Sequence, residues 1–159
     1  MSIRVGLGFD THQFEKGRDL ILGGVKIDHH KGLKGHSDSD VLCHAITDAL
    51  LGALALGDIG THFPDDDPAY KNADSIELLK KVNSLIQKKG YSIVNIDSVV
   101  IAEKPKLMPY IRRIQVKIAD SLGLAHDQVS VKATTSEKMG YIGREEGINS
   151  QAIVLIQKI

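Results

Sequence analysis

Asp10, Thr11 and His12 place a carboxylate and an imidazole two residues apart. At strand spacing such side chains project to the same side and can reach one point. A second imidazole, His44, lies in the stretch Gly35-His-Ser-Asp-Ser-Asp-Val-Leu-Cys-His-Ala-Ile-Thr-Asp48. Its helical period puts Asp40, His44, Thr47 and Asp48 on one face and Leu42, Ala45, Ile46, Ala49, Leu50 and Ala53 on the other. Asp10, His12 and His44 together offer one oxygen and two nitrogens, a set zinc accepts, with a fourth position left for substrate. The plainer alternative is that Asp10 caps a turn and His12 is solvated. A second constellation is Thr134-Thr135-Ser136-Glu137, flanked by Lys132, Lys138 and Arg144. Hydroxyls, backbone N–H groups and basic side chains favour an anion such as phosphate. Glu137 would repel that anion unless a second cation, as Mg²⁺ does, sat between them; a hydroxyl-rich turn is the alternative. A third is Asp58-Ile59-Gly60 with Phe63-Pro64-Asp65-Asp66-Asp67, whose acids could bind sugar hydroxyls or a cation, or simply form a solvated loop.

The elements that must position these groups are readable from periodicity. Ile3, Val5, Leu7 and Phe9 alternate with Arg4, Gly6, Gly8 and Asp10, which predicts a strand over Ile3 to Asp10. Leu20 to Ile27 is a second strand candidate, broken by Gly23-Gly24 as a bend or hairpin. His29 to Gly35 reads as a polar loop. A helix is expected from about Asp38 to Leu56, with Ser37 or Asp38 as N-cap and Gly57 as its stop. Gly57 to Pro68 is a long loop of the kind that often carries function. Asp74-Ser75-Ile76-Glu77 resembles a capping box opening a helix that ends at Gly90. A strand is expected over Asp97 to Ala102, a helix from about Pro109 to Leu122 ending at Gly123, and strands at Val129 to Ala133 and Ile148 to Ile156. There is no internal repeat or low-complexity segment. The order β-β-α-α-β-α-β-β describes a single α/β domain spanning 1–159.

Composition narrows the function classes. Twenty acidic and twenty basic residues balance, and aromatics make up only 4% with no Trp, which argues against nucleic acid as partner. No apolar run approaches the roughly 18 residues that cross a bilayer, so no membrane association is expected. The N-terminus enters a strand pattern directly, without a signal or transit peptide. Cys43 is the single cysteine, which excludes an intrachain disulfide and agrees with a cytoplasmic location.

Taken together, Gly8-Phe-Asp-Thr-His12, Gly35 through His44, Leu56-Gly-Asp-Ile-Gly60, Phe63-Pro-Asp-Asp-Asp67, Pro105-Lys106 and Lys132-Ala-Thr-Thr-Ser-Glu137 resemble the 2-C-methyl-D-erythritol 2,4-cyclodiphosphate synthases of the non-mevalonate isoprenoid pathway. The resemblance covers essentially the whole chain. Ser39 stands where that family usually has Gly, Ser136 where it has Thr and Tyr141 where Phe is common, and Leu107-Met108 is in swapped order. Ser136 keeps a hydroxyl and Leu107-Met108 keep their volume, so activity is expected to survive. The resemblance implies a mixed β-sheet covered by helices on one face, assembled as a homotrimer with active sites between subunits. Asp10, His12 and His44 would hold Zn²⁺; Glu137 would hold Mg²⁺ or Mn²⁺ against the diphosphate. His36 and Thr135 would be the catalytic, transition-state-stabilising groups, with Ser37 contacting phosphate. Asp58, Ile59 and Gly60, with Phe63, Pro64, Asp65, Asp66 and Asp67, would receive the methylerythritol. Ala102, Glu103, Lys104, Pro105, Lys106, Leu107 and Met108, with Thr134, Thr135 and Ser136, would bind the cytidine of a cytidine diphosphate-linked substrate. Phe9 and Arg144, near Tyr141, would face a three-fold axis where an isoprenoid diphosphate could bind. The implied reaction is metal-dependent cyclising phosphoryl transfer with release of CMP. The same ligand set also fits a zinc-dependent phosphohydrolase, with water in the open zinc position, or a non-catalytic trimer that binds a phosphometabolite.

Overall fold

The computed structural model describes residues 2–159. Strand β1 (Ile3–Lys16) is followed by a small hairpin of β2 (Leu20–Leu22) and β3 (Val25–Ile27), then β4 (Lys31–Leu33) and helix α1 (Val41–Ala53). A short helix α2 (Ile59–His62) precedes α3 (Ser75–Lys88). Next come β5 (Tyr91–Ile101), α4 (Ile111–Leu122), β6 (Val129–Thr134), a one-turn α5 (Gly140–Gly143) and β7 (Gly147–Lys158). The main sheet has the order β4-β1-β7-β5-β6. Its pairs are antiparallel except β5 and β6, which run parallel with α4 as the connection between them. The sheet is therefore mixed. α1 lies against β1 and β7, α3 against α1, and α4 against β6, so helices cover one face.

The alternation in β1 has a consequence opposite to that of an ordinary half-buried strand. Val5, Leu7 and Phe9 face outward, at 63%, 67% and 54% exposure, whereas Gly6 and Gly8 are buried. The glycines lie under α1. A β-carbon at Gly6 would overlap the carbonyl of Ala49, and one at Gly8 the carbonyl of Ala45. Glycine on the strand and alanine on the helix let the two backbones pack unusually close. The face that holds Gly6 and Gly8 also holds Asp10 and His12, so this approach brings both toward α1.

Several sequence boundaries shift. α1 begins at Val41, not near Asp38, and ends at Ala53 rather than Leu56, where Leu54 caps it and Ala55 takes a φ of 54°. Asp40 is the N-cap itself, accepting the N–H of Cys43 at 3.0 Å. The polar stripe of that helix is mostly buried: Asp40, His44 and Thr47 are buried, only Asp48 and Gly52 of α1 escape burial, and Asp40 lies outside the helix as its cap. The span His29 to Gly35 is not wholly loop, because β4 pairs with the end of β1 from Phe14 opposite Leu33 to Lys16 opposite Lys31. The helix expected from Pro109 starts with a 3₁₀ turn, Met108–Tyr110, before α4, and it stops at Gly123 in the left-handed region, φ 67°. The strands β1, β5 and β7 outrun their periodic cores. Among the described residues, no helix is long and apolar enough to cross a membrane.

Candidate active site

Asp10 and His12 at mid-β1 meet His44 in the first turns of α1. The Asp10 Oδ2 lies 3.0 Å from His12 Nε2 and 3.1 Å from His44 Nδ1, and the two nitrogens are 3.3 Å apart. Ligands at ~2.0–2.1 Å from a tetrahedral zinc are spaced by about 3.3 Å, so the three donors are set at ligand separation. The outer nitrogens are already engaged. His12 Nδ1 donates to the carbonyl of Lys34 at 2.7 Å. His44 Nε2 lies 2.9 Å from Ser75 Oγ, whose hydroxyl proton goes to the Asp38 carboxylate. Ser75 can therefore only accept from His44, which fixes the Nε2–H tautomer and turns the Nδ1 lone pair toward the Asp10 oxygen. Two acceptors face each other there, and only a proton or a cation between them relieves the repulsion. The residues present thus fit a zinc ion.

The electrostatics carry the same sign. Burial would raise the Asp10 carboxyl, but with a proton between carboxylate and ring nitrogen, where a metal would otherwise sit, the hydrogen bonds and charge of the His12 and His44 rings outweigh it and hold it at about 2. Burial would lower His12, but the hydrogen bond and negative charge of Asp10, with the Lys34 carbonyl, raise it above its ordinary 6.5. Asp48, on the next turn of α1, is raised by burial against the N–H it accepts from Ile59 at 2.7 Å; it anchors α2 beside the site.

These groups open into a cavity of about 250 Å³ lined by Asp10, His12, His36, Ser37 and His44 together with Ile59, Gly60, Phe63 and Asp65. Gly35, Tyr70 and Leu78 complete it. The sequence singled out Gly35 only as the opening of the His44 stretch, and it missed Tyr70 and Leu78; the only signal for Tyr70 was an aromatic just beyond the Asp-rich loop, and its ring meets Phe63 edge-on at 5.3 Å. Asp58, Pro64, Asp66 and Asp67 do not line it. Asp58 caps α2 through Thr61, and Asp67 contributes its carbonyl to His36 Nε2 at 3.0 Å. Asp74-Ser75-Ile76-Glu77 opens α3 with Asp74 as N-cap, as the capping-box reading has it, but Glu77 pairs with Lys80 instead of closing the box, and the Ser75 hydroxyl serves His44.

A second cavity, about 660 Å³, shares no residue with the first. Ala102 to Met108 form one wall and Val131 to Thr135 the other, with Ile111 between. Thr134 and Thr135 thus belong here, as do Glu103, Lys104, Pro105, Lys106 and Leu107. Ser136 and Glu137 lie at its rim in sequence but not in its lining. The Glu137 N–H bonds the Thr135 hydroxyl at 3.2 Å, and Glu137 and Lys138 take φ of 54° and 62°. Lys132 is paired with Asp97 at 2.8 Å. Tyr141 accepts from Thr11 and Asn149, and Arg144 pairs with Glu146 at 3.1 Å. Neither Tyr141 nor Arg144 lines either cavity. Ser39, which stands where the resembling family has Gly, takes φ of 60° and leaves its buried hydroxyl unpartnered, which explains why Gly suits that position.

The chain matches the YgbB family over residues 3–157. It is 63% identical over 151 residues to a 2-C-methyl-D-erythritol 2,4-cyclodiphosphate synthase of Agathobacter rectalis, covering 95% of this chain and 85% of that one. Among solved structures, the bifunctional IspDF of Campylobacter jejuni superposes with a TM-score of 0.96 at 46% identity, covering 99% of this chain and 43% of that longer one. A Plasmodium falciparum IspF in complex with CDP superposes with a TM-score of 0.86 at 38% identity, covering 99% of this chain and 97% of that one. With matches of this extent laid over the Asp10–His12–His44 centre, the chain belongs to the YgbB family, in company with the 2-C-methyl-D-erythritol 2,4-cyclodiphosphate synthases.

Proposed function

We propose that the chain converts 4-diphosphocytidyl-2-C-methyl-D-erythritol 2-phosphate to 2-C-methyl-D-erythritol 2,4-cyclodiphosphate with release of CMP, in isoprenoid precursor biosynthesis. The observation that carries this reading is the Asp10–His12–His44 cluster lining a small cavity, in a chain 63% identical to an enzyme of that name.

The substrate brings its own nucleophile. Its 2-phosphate forms a bond to the β-phosphorus of the diphosphate, the bond from that phosphorus to the CMP oxygen breaks, and CMP leaves. The attacking phosphate is already ionised, so the protein's tasks are alignment and charge neutralisation. Divalent cations supply that neutralisation; Asp10, His12 and His44 would hold zinc, and Glu137 a Mg²⁺ or Mn²⁺ shared with substrate oxygens, as single carboxylates do for that ion. His36 and Thr135 stabilise the transition state at the oxygens that gain charge, and the buried Ser37 approaches the phosphate beside His36. Ile59, Gly60, Phe63 and Asp65 receive the methylerythritol, while Asp58 caps α2 and Asp67 holds His36, so that both fix the loop around it. The larger cavity, walled by 102–108 and 131–135, takes the cytidine, in keeping with the CDP complex of the Plasmodium falciparum relative.

Zinc-side and cytidine-side cavities share no residue, and the apolar outer face of β1 is bare. Both features support a homotrimer in which each site joins halves of two chains. Phe9, Tyr141 and Arg144 would then face the axis, where an isoprenoid diphosphate could bind.

Phosphorus NMR of the products tests the reaction: cyclic diphosphate plus CMP is expected, and a linear phosphate would mean hydrolysis instead. Glu137→Gln should keep one zinc per chain while losing most CMP release and its Mg²⁺ dependence. Unchanged Mg²⁺ dependence in that variant would remove Glu137 from the metal role.

A further inference from the structure

Four successive carbonyls on the segment entering α1 each accept a hydrogen bond. Lys34 O accepts from His12 Nδ1 at 2.7 Å, Gly35 O from Arg18 Nη1 at 2.6 Å, His36 O from the Asn72 N–H at 2.8 Å, and Ser37 O from Arg18 Nη2 at 2.5 Å. One guanidinium therefore straddles His36, holding the carbonyls on either side of it. Arg18 lies in the turn after β1, and its side chain is 24% exposed. Its nearest carboxylate, Glu15, is 3.9 Å away, at the edge of ion-pair range. Its donors are committed to the backbone rather than to an acid.

In an extended strand the carbonyls of residues i and i+2 share a direction but lie too far apart for one fork; the bend over 35–37 brings the Gly35 and Ser37 carbonyls within reach of the two nitrogens of a single guanidinium. A planar fork with fixed donor spacing selects that shape; an ammonium, a single point on a flexible stem, satisfies one carbonyl at a time. The segment so held carries the His36 imidazole and the Ser37 hydroxyl into the smaller cavity, and its first carbonyl orients the metal-side ring of His12. We propose that Arg18 is a positioning residue that clamps the backbone around His36 and so aims His36 and Ser37 at the reacting diphosphate. The proposal rests on the reading of His36 as a transition-state-stabilising group.

The test compares the full-length wild type with Arg18→Met, which keeps the stem and removes every donor, and Arg18→Lys, which keeps the charge. Hydrogen exchange at the amides of 36–38 reads the clamp without catalysis, and zinc content and CMP affinity read the two cavities. In Arg18→Met, exchange at 36–38 should speed up while zinc stoichiometry and CMP affinity stay at wild-type values. Its kcat should fall by roughly 10- to 100-fold, the scale of an ångström-level misplacement, with KM little changed. Arg18→Lys should recover less than half of that loss, and guanidinium at low concentration should restore part of the kcat of Arg18→Ala. Wild-type exchange at 36–38 in Arg18→Met would overturn the proposal, whatever the kcat, and so would full turnover in Arg18→Lys. If Arg18→Met does not fold, the lysine variant decides by the same two readouts. Absence of CMP release from the wild type itself would defeat the functional reading and leave the exchange result to judge the clamp.

Discussion

At the residue scale, the Asp10–His12 pair sets the pH behaviour of the metal centre. Without metal, Asp10 is held at about 2, so its stabilising contribution is full above its ordinary 3.8 and is lost as pH falls toward 2. His12 works in the other direction: its raised pKa gives a contribution that is full below 6.5 and is lost as pH climbs through the folded value. A metal needs the Nε2 lone pair of His12 and must expel the proton that Asp10 stabilises there. Apparent zinc affinity should therefore rise with pH, by up to about tenfold per unit, until the raised pKa of His12 is passed, and then level off. Chelator competition from about pH 5.5 to about pH 8.5 checks the slope. Calorimetry in two buffers of different ionisation enthalpy checks that close to one proton leaves per zinc at the acid end. A flat affinity over that range would take His12 out of the ligand set.

At the element scale, β1 and α1 make the site, and each was only partly legible. The alternation in Ile3 to Asp10 announces a strand, and Asp-x-His on it announces a shared direction, but alternation does not say which side is buried. The usual inference, apolar side in, fails here because Gly6 and Gly8 admit the helix backbone and side chains at those positions could not. The helical period of α1 likewise suggests a polar stripe. Asp40 instead turns back to cap the helix and to accept the N–H groups of Gly23 and Gly24 in the β2–β3 hairpin, at 2.9 and 2.7 Å. Only His44 of that stripe reaches the ligand set. The hairpin glycines, the stop at Gly123 and the 75–88 helix were local signals and were readable as such. Tyr70, Leu78, Ser75 and Arg18 were not, because their roles depend on contacts across 30 or more residues or with backbone carbonyls, which leave no periodic trace. The β1–α1 approach can be tested directly. Gly8→Ala places a methyl against the Ala45 carbonyl; overpacking typically costs roughly 1–3 kcal/mol, and against rigid backbone the cost should lie at or above the upper end, about 3 kcal/mol. Because the same approach joins Asp10 and His12 to His44, the variant should also bind zinc more weakly. Denaturant melts with and without zinc measure both; wild-type stability together with wild-type zinc affinity would mean that the backbones need not approach so closely.

At the scale of the whole molecule, the question is what covers the bare face of the sheet. Ile3, Val5, Leu7, Phe9 and Ile153 are each more than half exposed, on a face with no helix over it. In the proposed trimer this apolar surface would be the interface, and the two separate cavities, read as zinc-side and cytidine-side, give an assembly something to complete. In a closed ring one heterologous interface repeats around the axis, so the zinc half of one chain can meet the cytidine half of its neighbour. Leu7→Asp puts a charge in the middle of the bare face while leaving the buried side of β1 untouched. It should sediment as a monomer, keep its zinc and lose CMP release. Complementation then asks where the halves come from. His44→Ala removes a metal ligand, and Ala133→Arg fills the wall of the larger cavity; each alone should be inactive. In trimers reassembled from an equal mixture, an intact site needs its zinc half from the Ala133→Arg chain and its cytidine half from the His44→Ala chain. Random assembly pairs them at about one quarter of interfaces, so about a quarter of wild-type activity should return, and only after dissociation and remixing. Mixed trimers verified by mass and still inactive would place both halves within one chain, and a Leu7→Asp monomer with full turnover would say the same.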